Sequence, residues 1–155
     1  MDSKEFLTSY LNDFSDLVKP DKKTINQLLE VAVLLKEIHS QKKKVIIFGN
    51  GGSAAISSHF SVDLTKNAGL RCINCNEADL ITCFANDYGF ERWIEKTVDF
   101  YGDKGDLLIV ISSSGSSENM LNGVKAARKG KFKGIVTLSG FAEDNPLCQL
   151  GDINL

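Results

Sequence analysis

The chain has 155 residues, 43% of them hydrophobic, and 18 Lys and Arg against 20 Asp and Glu give a net charge of −2. That length builds one domain around one core, and the near balance of charge leaves no basic excess for nucleic acid or an acidic membrane surface. The N-terminal stretch MDSKEFLTSYLNDF is too polar for a signal peptide and no apolar run reaches membrane-spanning length, so the expected location is cytoplasmic.

Phe6, Leu7, Tyr10, Leu11, Phe14 and Leu17 recur at helical spacing and predict a first helix, stopped by Pro20. Ile25, Leu28, Leu29, Ala32, Leu35 and Ile38 predict a second, with Thr24 as its N-cap and His39 as a residue of its C-terminal turn. The pattern then changes to short continuous apolar runs, each followed by Gly, Ser or Asn and a helical stretch. Residues 45–48, 107–111 and 135–138 read as strands buried on both faces, and 71–75 as a weaker one. The helices between them fall near 53–67, 78–84, 91–101 and 117–129, and the closing residues 152–155 read as the opening of a fifth strand. The fold class is therefore α/β: a three-layer α/β/α sandwich with right-handed crossovers, a mainly parallel five-stranded sheet of flavodoxin-like type, and a helical pair before it. The expected organisation is one domain over 1–155, with the helical pair in 1–42 and the α/β core in 43–155.

The basic run Lys42-Lys43-Lys44 and the cluster Arg128, Lys129, Lys131 and Lys133 each follow a predicted helix, where positive charge is favourable, and read as solvated turns. Cys72 and Cys75 have the spacing of a metal or redox pair, but Cys83 and Cys148 supply no second pair. Strand positions three apart point to opposite faces, which is poor geometry for one shared ion, so structural thiols are expected.

Two turns carry chemistry. Gly49-Asn50-Gly51-Gly52-Ser53-Ala54 matches the G-x-G-x-x-[GA] fingerprint of dinucleotide sites and suits any anion at a helix N-terminus. Ser112-Ser113-Ser114-Gly115-Ser116-Ser117 places five hydroxyls around one glycine between a strand and a helix, able to donate to phosphate oxygens. Glu118, next in line, is expected to face solvent, since turned inward it would repel the anion. A dinucleotide site needs an acid at the end of the next strand to hold the ribose. That region reads Leu70-Arg71-Cys72-Ile73-Asn74, and Glu77 comes late. A second phosphate cradle is also foreign to that scheme, so the pair of loops fits a phosphorylated small molecule better, and a dinucleotide oxidoreductase is the weakest reading.

Gly49-Asn50-Gly51-Gly52-Ser53, His59-Phe60, Ala85-Asn86-Asp87-Tyr88-Gly89 and Ile111-Ser112-Ser113-Ser114-Gly115 with Ser117, in this order, resemble the sugar isomerase (SIS) domain, and within it the phosphoheptose isomerase family. The resemblance covers nearly the whole chain. It implies an isomerase that moves a carbonyl between C1 and C2 of an open-chain sugar phosphate through an enediol. It implies that Ser53, Ser112, Ser114 and Ser117 hold the phosphate with Ser113 lining the loop, that Gly51 and Gly52 form the glycine turn, and that Asn50 and Asp87 face the sugar. In the family a glutamate on the helix after the glycine turn works with a histidine on a C-terminal helix. Some members hold zinc through that glutamate, a histidine four residues before it and C-terminal residues. His59 and Asp63 match the histidine and glutamate positions, as catalytic residues and as metal ligands; the residues themselves require no cofactor.

Two departures stand out. Asp63 is one methylene shorter than the family's glutamate, and the histidines of this sequence are His39 and His59, so the C-terminal helix with its histidine is expected to be absent and turnover slow. The alternative in another class is a SIS module that binds a phosphosugar or mediates protein contacts without catalysis. The resemblance also implies a homo-oligomer, a tetramer with sites near the subunit contacts.

Overall fold

The structure is a computed structural model that describes residues 2–155. Helix α1 (Ser3–Leu17) opens with the Asp2 amide donating to the Glu5 carboxylate at 3.3 Å. Helix α2 (Lys22–Ser40) is capped by Asp21, which accepts from the Thr24 amide at 2.7 Å, so Asp21 and not Thr24 is the N-cap. An N-cap carboxylate satisfies an amide that the first helical turn leaves free, and Thr24 lies three residues on, where that amide is.

The core then alternates strand and helix: β1 (Lys44–Gly49), α3 (Gly52–Lys66), β2 (Arg71–Ile73), α4 (Ala78–Tyr88), α5 (Trp93–Tyr101), β3 (Leu107–Ser112), α6 (Glu118–Lys129), β4 (Gly134–Ser139) and β5 (Ile153–Asn154), with a 3₁₀ turn over Phe90–Arg92 leading into α5. All strand pairs are parallel, in the order β2-β1-β3-β4-β5. From β1 the chain steps outward to β2, then returns across β1 to build β3, β4 and β5 on the other side. The reversal lies between β1 and β3, whose register brings Gly49 beside Ile111. In such sheets the connections leaving the two strands diverge, and a crevice opens beyond their carboxyl ends.

The continuous apolar strands serve both layers. Ile46, Phe48, Leu108 and Val110 face α5 and α6 through Trp93, Ile94, Val98, Met120 and Val124. Val45, Ile47, Leu107 and Ile109 face α2 and α3 through Ile38 and Leu64. This is the three-layer sandwich expected from the sequence, with residues 152–155 supplying the edge strand β5. Among the described residues no helix is long and apolar enough to cross a membrane.

One basic residue, Lys44, departs from the solvated turns expected of these runs, while Arg128 stays exposed. Lys44 opens β1 with 10% of its side chain exposed and pairs with both Asp103, at 2.6 Å, and Asp106. Arg128 bridges to Asp152 at 2.7 Å, and Asp152 also accepts from the Ile135 amide, tying α6 to the sheet edge. Charge runs report helix ends, and tertiary partners then decide which members leave water.

Strand β2 ends at Ile73, short of the predicted 75, so Cys75 lies beyond it; Cys75 packs in the cluster on the α5–α6 side and Cys72 against the one on the α2–α3 side, and the two thiols stay apart. Burial pushes the Cys72 thiol up to about 12, and burial followed by the nearby Glu77 carboxylate pushes Cys75 up to about 11. The thiolate is the reactive form. Both cysteines should therefore resist iodoacetamide at pH 8 in the folded protein and react once urea unfolds it. Modification of either in the native state, read by mass spectrometry, would contradict the buried-thiol assignment.

Candidate functional site

The two loops picked out in the sequence leave the carboxyl ends of β1 and β3, at the switch point. Gly49 ends β1 where a Cβ would lie 2.4 Å from the backbone of Ser53, so only glycine lets α3 start this close to the strand. Gly51 has φ +53° and ψ −120°, a conformation that side chains resist, and it turns the chain into α3. The amides of Ser53 and Ala54 fold back on the Asn50 carbonyl at 2.9 and 3.3 Å, which closes the turn.

Ser112 ends β3, almost fully buried, and Gly115 follows at φ +61°. A Cβ on Gly115 would lie 1.8 Å from the Asn145 side-chain oxygen, so the loop depends on glycine twice, for conformation and for space. The segment after β4 braces this loop. Gly140 donates to the Ser113 carbonyl at 3.1 Å, Leu147 to the Gly115 carbonyl at 2.9 Å, and the buried Asn145 amide donates to Ser139 and the Ala142 carbonyl while accepting from Cys148.

Ser117 occupies the N-cap of α6, yet its hydroxyl makes no capping hydrogen bond. Among the described residues the amides of Glu118 and Asn119 and the Ser117 hydroxyl are thus kept for an outside acceptor, while the Met120 amide donates to the Ser117 carbonyl and the Asn119 side chain. Ser114 accepts from the Ser116 amide and hydroxyl at 3.3 and 3.2 Å, which turns those two side chains toward each other, and Glu118 is exposed, as expected. The N-termini of α3, 15 residues, and α6, 12 residues, therefore flank one crevice. Aligned peptide dipoles put about half a positive charge at each end, and free amides and hydroxyls supply directed donors, so the arrangement suits a phosphate without any basic side chain.

A cross-link joins the two loops. Asn50 donates to the Asn119 side-chain oxygen at 3.1 Å, and Asn119 donates back to that of Asn50 at 3.0 Å. Asn119, in the first turn of α6, is 3% exposed and was not among the residues singled out from sequence, and neither was Asn145. Both lie outside the glycine and serine patterns, and only the strand order brings residue 50 and residue 119 together.

The remaining residues of interest sit further out. His59 and Asp63 share one exposed side of α3, 3.5 Å apart, and Asn67 donates to the Asp63 carboxylate at 3.0 Å. At 1.5 Å per residue they stand about 9 and 15 Å along the helix from Ser53. Among the described residues no third His, Cys, Asp or Glu joins them, and catalytic zinc sites usually draw three ligands from protein. His59 and Asp63 supply two donors toward such a site. Asp87 lies in the last turn of α4, which runs on to Tyr88 rather than ending at 84 as the sequence predicts, because Gly89 at φ +92° provides the stop. Its hydrogen bonds are local, from Asn86 at 2.9 Å and the Cys83 thiol at 3.7 Å, and none joins it to either loop.

Comparison with known proteins agrees with this geometry. The pattern of the SIS domain family matches residues 9–139. A phosphoheptose isomerase of Buchnera aphidicola is 34% identical over 145 residues, covering 88% of this chain and 75% of the relative. One of Fusobacterium nucleatum is 37% identical over 145 residues, covering 89% and 73%. Among solved structures, a phosphoheptose isomerase from Francisella tularensis superposes with a TM-score of 0.86 at 26% identity, over 99% of this chain and 85% of that one. Another from Neisseria gonorrhoeae gives 0.83 at 25% identity, over 98% and 82%.

Proposed function

Because this chain belongs to the SIS domain family, we propose that it is a phosphosugar aldose–ketose isomerase, converting sedoheptulose 7-phosphate to glycero-manno-heptose 7-phosphate. The observation that carries this reading is the uncapped Ser117 at the N-terminus of α6, facing the glycine turn of α3 across the crevice. The phosphate seats there on the hydroxyls of Ser53, Ser112, Ser114 and Ser117, with Ser113 lining the loop and Gly51 and Gly52 allowing close backbone approach. Asn50 and Asp87 address the sugar hydroxyls. The open chain then extends along α3, where Asp63 is the carboxylate available to take the carbon-bound proton and His59 its neighbour for the oxygens. Enediol chemistry needs such an acid and base near the operating pH. A ligand that binds only the native state raises stability by RT ln(1 + [L]/Kd), about 2.7 kcal/mol at a hundredfold excess over Kd. Sedoheptulose 7-phosphate should therefore raise the unfolding midpoint with concentration while NAD and NADP leave it unmoved. A shift with the dinucleotides and none with the sugar phosphate would overturn the reading.

The same proposal includes assembly. Helix α1 has no buried residue, and Phe6, Leu7, Tyr10, Leu11, Phe14 and Leu17 are each more than half exposed. Helix α2 adds Ile25, Leu28, Leu29 and Val33, and α3 adds Ile56 and Val62 beside His59. An apolar stripe this long is an interface rather than a solvated face. A closed homotetramer would cover it and bring a neighbour to the exposed His59–Asp63 pair. Light scattering at micromolar concentration should give four times the mass of the 17.0 kDa chain; a monomeric mass would contradict this part of the proposal.

A further inference from the structure

We infer that Asn119 is a positioning residue for substrate recognition: its amide pairs face to face with that of Asn50 across the switch point and fixes which donor and acceptor Asn50 turns to the sugar. This rests on the reading of the crevice as a sugar-phosphate site. An asparagine side chain offers two N–H donors and two lone pairs on its oxygen. The reciprocal pair, at 3.1 and 3.0 Å, uses one of each on Asn50. Among the described residues no other hydrogen bond falls on the Asn50 amide, which is half-buried at the rim. Asn50 is therefore left with one donor and one acceptor on opposite flanks of the amide plane, each able to meet a separate sugar hydroxyl.

Asn119 itself is too buried to meet a ligand, and both lone pairs of its oxygen are taken. It is 3% exposed, its oxygen accepts from the Met120 amide at 3.1 Å as well as from Asn50, and it is anchored in α6. Without it, the Asn50 amide rotates freely about its terminal torsion, which is broad, and presents either edge to the sugar. The pair also joins the first residue of the glycine turn to the first turn of the helix that carries the serine loop. The phosphate cradle and the sugar contact are thus set at a fixed separation.

The test uses the whole chain with Asn119→Ala and Asn119→Asp, titrated by calorimetry with inorganic phosphate and, separately, with sedoheptulose 7-phosphate. Phosphate alone reads the serine loop; the sugar phosphate reads that loop plus Asn50. With Asn119→Ala, phosphate affinity should stay within about twofold while sugar phosphate affinity falls about tenfold, the size of one lost hydrogen-bond pair. Asn119→Asp adds a pH signature. An ionised carboxylate has no donor for the Asn50 oxygen, but a protonated one restores the reciprocal pair, so the ratio of variant to unsubstituted affinity should recover as the pH falls through the introduced carboxyl's titration. That recovery within one folded protein separates positioning from a folding defect. Equal loss for phosphate and sugar phosphate, or a flat pH ratio, would overturn the positioning role while leaving the site reading in place. No binding of sedoheptulose 7-phosphate by the unsubstituted chain would overturn both.

Discussion

Replacing Ser114 and Ser117 together by alanine should weaken sedoheptulose 7-phosphate by about 10²- to 10⁴-fold and leave the unfolding midpoint of the free protein nearly unchanged. Hydrogen bonds to a charged partner contribute about 1.5–3 kcal/mol each, and two are removed. The fold is spared for a local reason: Ser117 caps nothing, and Ser114 bonds only within the exposed loop. A neutral cleft that relied on a lysine or arginine would tolerate the change, because its main attraction would survive. Affinity within threefold of the unsubstituted chain, measured by calorimetry, would show that the phosphate sits elsewhere.

The second large effect is on stability and lies at the other end of the sheet. Lys44→Ala strands Asp106, which is 1% exposed and accepts from the Lys44 and Asp103 amides as well as from the Lys44 ammonium. Removing one member of a buried pair leaves an uncompensated charge and costs about 3–5 kcal/mol, a large share of the stability of a domain this size. Burial alone would lower the Lys44 pKa, but hydrogen bonds to Asp103 and Asp106 outweigh it and hold the ammonium above its usual value. Asp103 moves the other way, held below the ordinary carboxylate value by its hydrogen bond to Lys44. The sign follows: a carboxylate depressed in the folded state stabilises it above the unfolded pKa of 3.8 and loses that contribution as the pH falls through the lower folded value. The Lys44→Ala protein should therefore lose several kcal/mol at pH 7 by urea denaturation and show less acid sensitivity between pH 4 and pH 2 than the parent. A loss under 1 kcal/mol would mean the triad is solvated, as the run Lys42-Lys43-Lys44 suggests when read as sequence.

That contrast marks where the sequence was legible. The strands announced themselves because Val45 to Phe48 and Leu107 to Ile111 have no polar member, which only a sheet covered on both faces permits. The glycine turn and serine loop were legible because glycine at Gly51 and Gly115 has a backbone cause, positive φ, that acts within a few residues. Asn119, Asn145 and the Lys44 triad were not, since each draws its meaning from a partner far along the chain: Asn119 from Asn50, 69 residues away, and Lys44 from Asp106, 62 away. The stop of α4 was missed for a smaller reason, the helix running on through Ala85-Asn86-Asp87-Tyr88 to Gly89 rather than ending before the polar pair Asn86-Asp87.

Isomerisation itself is tested most directly by incubating the chain with sedoheptulose 7-phosphate in D₂O and following the C1 protons by NMR, beside the Ser114→Ala, Ser117→Ala double variant and a protein-free control. A base removes a proton from C1 to form the enediol, and a deuteron from exchanged groups adds at C2, so the unsubstituted chain should deplete the C1 signal and build a deuterated aldose, and the double variant should do so far more slowly. Loss of signal no faster than in the protein-free control, from a chain that binds the sugar phosphate, would contradict an isomerase.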